Sequence, residues 1–123
     1  MSDGARASVM LVDDDPDLRE SLQLVLEMHG YSVVSARDGA DALERLGTEP
    51  LPCVVLLDLM MPGMNGVEFR ERQLGDPRIK DIPVVLLTGA GAHAVEPRVA
   101  VGTRLLRKPF DFDELFALID TLC

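Results

Sequence analysis

The chain has 123 residues, 47% of them hydrophobic, which fits one domain with a single core and excludes an intrinsically disordered chain. Aromatics are only 4%, with no Trp, so the core must be aliphatic. Twenty-one acidic against 12 basic residues leave a net charge of −9, which disfavours direct contact with nucleic acid or an anionic membrane and suits a cation or a basic partner surface.

Five short apolar runs alternate with five amphipathic or polar stretches. The first run, Ser8 to Val12, ends at Asp13-Asp14-Asp15. Pro16 suits the first turn of a helix with Asp15 as N-cap; Leu18, Leu22, Val25 and Leu26 share one helical face, and Gly30 closes it. Tyr31 to Ala36 reads as a second strand. Gly39 to Leu46 reads as a short helix ending at Gly47. Cys53 to Leu57 is continuously apolar, as in a central strand buried on both faces, and ends at Asp58. Pro62-Gly-Met-Asn-Gly66 is turn chemistry. A helix with Val67, Phe69, Arg70 and Leu74 follows. Pro83 to Leu87 is another buried strand, ending at Thr88. The 89–101 segment contains Pro97 and several glycines, and predicts a short or broken helix. Arg104 to Arg107 is the last strand, ending at Lys108-Pro109, and Leu115, Leu118, Ile119 and Leu122 mark a docked amphipathic helix. Such alternation predicts an α/β fold with a parallel sheet and helices on both faces.

No apolar run approaches the roughly 20 residues of a membrane span, and the first residues lack a signal-peptide pattern. Cys53 and Cys123 show no metal-ligand spacing and read as two unrelated thiols, reduced in a cytoplasm. His29 and His93 read as exposed polar residues, and Arg98, Arg104 and Arg107 as a solvated basic edge.

Parallel α/β sheets bind ligands at the carboxyl ends of their strands. Those ends carry Asp13, Asp14 and Asp15, then Asp58, Thr88 and Lys108. Clustered carboxylates repel one another unless a cation sits among them, and oxygen ligands without His or Cys favour a hard ion such as Mg²⁺. A cation with a lysine makes a site for a phosphoryl dianion, with Thr88 as a hydrogen-bond donor. Asp58 stands alone on the central strand and is the candidate nucleophile for an acyl phosphate; Asp13 and Asp14 form the metal pair. Asp15 is a cap rather than a ligand, and the sulfurs of Met60, Met61 and Met64 do not suit a hard cation.

The motifs Leu11-Val-Asp-Asp-Asp15, Leu57-Asp-Leu-Met-Met-Pro-Gly-Met-Asn-Gly66, Leu87-Thr-Gly89 and Arg107-Lys-Pro-Phe110 follow in order, and the sequence resembles a receiver domain of two-component response regulators. The resemblance covers the chain from about Ala7 to Leu122 and implies one receiver domain over 1–123. It implies a flavodoxin-like (βα)5 three-layer sandwich with a five-stranded parallel sheet in the order 2-1-3-4-5. Residue by residue, it implies that Asp58 is the phosphoacceptor and that Asp14 binds Mg²⁺ directly. Asp13 acts beside it, mostly through water, and the Met60 backbone carbonyl completes the metal site. Thr88 is the switch hydroxyl and Lys108 the phosphoryl-pairing lysine, with Lys108-Pro109 a cis peptide as in the family.

The sequence departs from the family in two places. Leu105 stands where many receivers carry Tyr, Phe or His as a rotating output switch, and the Thr88 to Lys108 interval is short. The implied partners are a sensor histidine kinase or histidine phosphotransfer protein and an unknown downstream protein or output domain. Neither nucleic acid nor membrane is implied as a direct partner, and a phosphorylation-dependent dimer is compatible. The implied protein is a cytoplasmic switch that phosphorylates and dephosphorylates itself rather than a turnover enzyme. The sequence leaves three rivals. A phosphohydrolase of the haloacid dehalogenase type needs an Asp where Met60 stands. A phosphorylation-independent binding module would not need every acidic, hydroxyl and lysine position filled. A receiver cut from a larger regulator or hybrid kinase would look the same.

Overall fold

The computed structural model describes residues 8–48, 50–58, 66–88, 103–107 and 110–123. Five strands, β1 (Ser8–Val12), β2 (Ser32–Ala36), β3 (Val54–Asp58), β4 (Val84–Thr88) and β5 (Thr103–Arg107), form one parallel sheet in the order β2-β1-β3-β4-β5. The described helices are α1 (Pro16–Met28), α2 (Gly39–Thr48), α3 (Gly66–Leu74) and α4 (Phe112–Leu122). The 89–101 segment lies outside the described residues.

The strands read as continuous apolar runs because both faces of the sheet are covered. Successive side chains point to opposite faces and feed two separate clusters. On one face Met10, Val12, Val55, Leu57, Val84 and Leu86 pack with Ala42 and Leu46 of α2 and Phe69 of α3. On the other, Val9, Leu11, Val54, Leu56, Val85 and Leu87 pack with Leu22 and Leu26 of α1 and Leu115 and Ile119 of α4. The three-layer sandwich is thus written in the alternation of β1, β3 and β4.

Local sequence sets the helix ends. The Asp15 side chain accepts from the N–H groups of Asp17 and Leu18, as its N-cap position predicts. Helix α1 stops where Gly30 adopts a φ of 105°, a conformation that other residues rarely enter. Asp111 and Glu114 form a capping box at the start of α4. Strand β2 begins one residue later than expected, since Tyr31 donates its N–H to Leu26 as part of the α1 exit, and β4 begins after Pro83. Helix α2 runs through Gly47 to Thr48.

Tertiary packing decides several features that the local sequence does not. At the end of α3, Leu74 is exposed and Gln73 is buried. The Gln73 amide donates to the Ile79 and Ile82 carbonyls and its oxygen accepts from Arg70 Nη1 at 2.7 Å, so a polar side chain satisfies a buried loop that leucine could not. His29 is not an exposed residue. Its ring stacks on Phe116 with centroids 3.8 Å apart, and its Nε2 lies 3.7 Å from Asp120.

Cys53 and Cys123 are not unrelated thiols: they are joined by a disulfide, with Cα atoms 5.4 Å apart across 70 residues of sequence. In a parallel α/β layer every strand begins, and every helix ends, at the same edge of the sheet. Helix α4 covers the face that carries Val54 and Leu56, so the residue that caps its end, Cys123, reaches the residue preceding β3.

Asp41 in the first turn of α2 gathers the N–H of Arg37 at 3.0 Å and the guanidiniums of Arg45 and Arg37 at 3.4 and 3.8 Å. Burial pushes its carboxyl up. The Arg37 N–H and the two arginine charges outweigh that and hold it below its ordinary value. A carboxylate depressed in the folded state stabilises above its unfolded pKa, and that contribution disappears as pH falls through the folded value. Asp41→Asn is therefore expected to lower stability by about 1 kcal/mol at neutral pH. Its melting temperature should converge on that of the wild type as the pH drops below about 4. A constant gap down to pH 2, read by melting across the acid range, would remove the carboxylate from this role.

Candidate functional site

Strand register builds the site. Val12 pairs with Leu57, so the next residues, Asp13 and Asp58, leave neighbouring strands side by side. Asp58 pairs in turn with Leu87, which brings Thr88 alongside at the end of β4, and Thr88 pairs with Arg107, the residue before Lys108. The side chain of Thr88 and all of Met60, Lys108 and Pro109 lie outside the described residues, so the Met60 carbonyl, the Thr88 hydroxyl, the Lys108 ammonium and the 108–109 peptide remain sequence expectations. Asp13, Asp14 and Asp58 are brought together: each offers a carboxylate oxygen, and these oxygens all lie within 4.8 Å of one another.

The three carboxylates differ in surroundings. Asp13 is fully buried and Asp58 is 8% exposed, whereas Asp14 faces solvent. Asp13 is held from three sides. Its N–H donates to the Ala36 carbonyl at 3.1 Å, its Oδ1 accepts from the Asp15 N–H at 2.9 Å, and its carbonyl accepts from Arg19 Nη1 at 2.7 Å. Arg19 is a positioning residue that the sequence did not reveal. Its only signal is an arginine near the start of the helix that follows an acidic loop, a common pattern on solvated helices. Asp15 is confirmed as a cap and takes no part in the cluster.

Three carboxylates this close, two of them buried, form an all-oxygen donor set with no His or Cys. Mutual repulsion opposes such a cluster unless a cation compensates it. A hard divalent ion that keeps part of its water shell fits the donors, with Asp14 open to solvent on one side. Leu105, at the place of the usual aromatic switch, is 52% exposed on the edge strand β5.

The family model for the response regulator receiver domain matches residues 9–120. The chain belongs to the response regulator receiver family. It is 37% identical over 118 residues to the response regulator Rre1 of Synechocystis, an alignment covering 94% of this chain and 51% of that protein. It is 36% identical over 113 residues to the phosphate regulon transcriptional regulatory protein PhoB of Escherichia coli, covering 90% and 49%. The chain thus spans about half the length of the curated relatives it matches. Among solved structures it resembles the response regulator TrrA of Thermotoga maritima, determined in complex with Mg²⁺ and BeF (TM-score 0.83, 30% identity, covering 96% of this chain and 100% of that one). It also resembles the chemotaxis protein CheY4 of Vibrio cholerae (TM-score 0.82, 28% identity, 97% and 100%). The flavodoxin-like sandwich, its strand order and a receiver role in two-component signalling all follow, and a phosphorylation-independent module is not favoured. No helix among the described residues is long and apolar enough to cross a membrane.

Proposed function

We propose that this chain forms one receiver domain over 1–123. It accepts a phosphoryl group on Asp58 from a phosphohistidine of a sensor histidine kinase or histidine phosphotransfer protein. Asp13, Asp14 and Asp58, with the backbone carbonyl of Met60, would hold Mg²⁺ for that transfer. One observation carries the reading: oxygens from Asp13, Asp14 and Asp58 converge within 4.8 Å at the carboxyl edge of the sheet. The complex of the related TrrA with Mg²⁺ and BeF supports it.

The chemistry asks the protein for positioned charge. An Asp58 oxygen attacks the phosphorus in line; the new P–O bond forms as the P–N bond breaks, and the imidazole nitrogen leaves with the bonding pair. Mg²⁺, when bound, neutralises charge on the phosphoryl oxygens. Asp58 closes β3, and its neighbour Asp13 is fixed through Ala36, Asp15 and Arg19, so Asp13 needs little reorganisation. Thr88 and Lys108, taken from their motifs, donate to the phosphoryl oxygens. Water later cleaves the acyl phosphate and restores the carboxylate, which makes the domain a switch without turnover of a separate substrate. Phosphorylation biases a two-state surface that a downstream protein or an output domain reads. At a net charge of −9, the domain itself does not contact nucleic acid. The cytoplasm is its proposed compartment.

Incubation of the wild-type chain with acetyl phosphate and Mg²⁺, read by intact-mass spectrometry, is expected to give a single phosphoryl adduct that EDTA abolishes. Failure to form an adduct at any time, together with no response to beryllofluoride, would replace this function with phosphorylation-independent binding.

A further inference from the structure

We propose that Cys53 and Cys123 form a reversible dithiol–disulfide site, oxidised by low-molecular-weight disulfides of the glutathione type, that fastens and releases the C-terminal end of α4. The two are the chain's only cysteines, so no other intramolecular pairing competes. Their Cα separation of 5.4 Å lies within the bridging range.

The partners are unequal in a way that suits exchange. Cys53 is half-buried among the residues packed against the α1/α4 core, and its N–H donates to the Ser8 carbonyl at 2.8 Å, which fixes it at the entrance of β3. Cys123 is exposed and caps α4, its N–H donating to the Ile119 carbonyl at 2.8 Å. The exposed thiol meets the reagent and the anchored one resolves it. The Cys123 thiolate attacks one sulfur of RSSR and displaces RS⁻, giving a mixed disulfide. The Cys53 thiolate then attacks Cys123 Sγ and displaces the second RS⁻. Two electrons pass from the protein dithiol to RSSR, and the two thiol protons end on two molecules of RSH. Excess RSH reverses both steps.

The bond ties the last turn of α4 to the central strand. Beyond Ile119 the same turn is also held by the Tyr31–Asp120 hydrogen bond, by the His29–Asp120 contact and by the partly buried Leu122. The site also lies at the opposite end of β3 from Asp58. Five residues separate the two edges, about 16 Å at strand rise. The redox state therefore alters the hold on α4 without touching the carboxylate cluster. In a reducing compartment such a bond, with one of its two residues exposed, belongs to the labile, regulatory class.

The test equilibrates the full chain in buffers of graded reduced-to-oxidised glutathione ratio, followed by acid quench, alkylation and intact mass. The expected result is two species only, the doubly alkylated dithiol and the unalkylated disulfide, exchanging in one transition. Cys53→Ser and Cys123→Ser should each instead accumulate a glutathione adduct on the remaining thiol. Independent glutathionylation of both cysteines in the wild type, two thiols still alkylatable in fully oxidised buffer, or disulfide-linked pairs of chains would each overturn the site. A second readout tests the fastening. Oxidised wild type should melt about 10 °C above the reduced protein, with faster amide exchange in the last turn of α4 on reduction, while the double serine variant ignores reductant. Equal melting and exchange in the two redox states would overturn it.

Discussion

Asp58→Asn should abolish phosphoryl incorporation from acetyl phosphate, to below about one-hundredth of the wild-type rate. Asparagine keeps the shape of the side chain but exchanges a carboxylate oxygen for an amide that is a poor nucleophile. It also removes one of the three converging charges. The two effects separate by measurement: intact mass reports the adduct, and Mg²⁺-dependent melting reports the cation site. Asp15→Asn is the matched control. Asn caps a helix about as well as Asp, and Asp15 takes no part in the cluster, so this variant should phosphorylate like the wild type. An adduct that persists in Asp58→Asn and maps to Asp13 or Asp14 would move the acceptor. Asp13 is the less suitable nucleophile because one of its oxygens is engaged by the Asp15 N–H.

Phe69→Ala is expected to cost about 3–5 kcal/mol, the largest loss of stability from truncating a single core side chain among the described residues. Phe69 is 0% exposed and is the only aromatic in the cluster on its face of the sheet. It anchors α3 in the cluster that also holds Leu57 and Val12, the residues immediately before Asp58 and Asp13. Aliphatic neighbours such as Val55, Leu86 and Ile79 cannot collapse far into the space of a lost ring, because most of them are held in strand register. Urea unfolding should show a lower midpoint with an unchanged slope. A loss under about 1 kcal/mol would mean that α3 docks chiefly through Gln73 and Arg70 instead. Because α3 and the end of β3 share this cluster, the variant should also bind Mg²⁺ less tightly.

Much of this was legible in the sequence. Continuous apolar runs in β1, β3 and β4, separated by helical periodicity, specify a parallel sheet covered on both faces, since only burial on both sides removes the need for alternation. The cap at Asp15 and the exit at Gly30 depend on neighbours within a few residues, so they too are local information. The candidate site could be read as well, because each acidic residue sits where its own strand ends, and all strands of a parallel sheet end at one edge.

What the tertiary structure alone decided involves residues distant in sequence. Leu74 and Gln73 differ by one helical step, and which of them turns inward depends on the carbonyls of Ile79 and Ile82 that need a donor. Nothing near His29 announces Phe116, and Arg19 becomes a support of Asp13 only because α1 turns back against the end of β1. Cys53 and Cys123 look unrelated across 70 residues until the strand that starts at one edge and the helix that ends there are packed together. Periodicity and capping are short-range and therefore written in the chain. Pairings between side chains on different elements are set by the docking of those elements, and no local pattern encodes them.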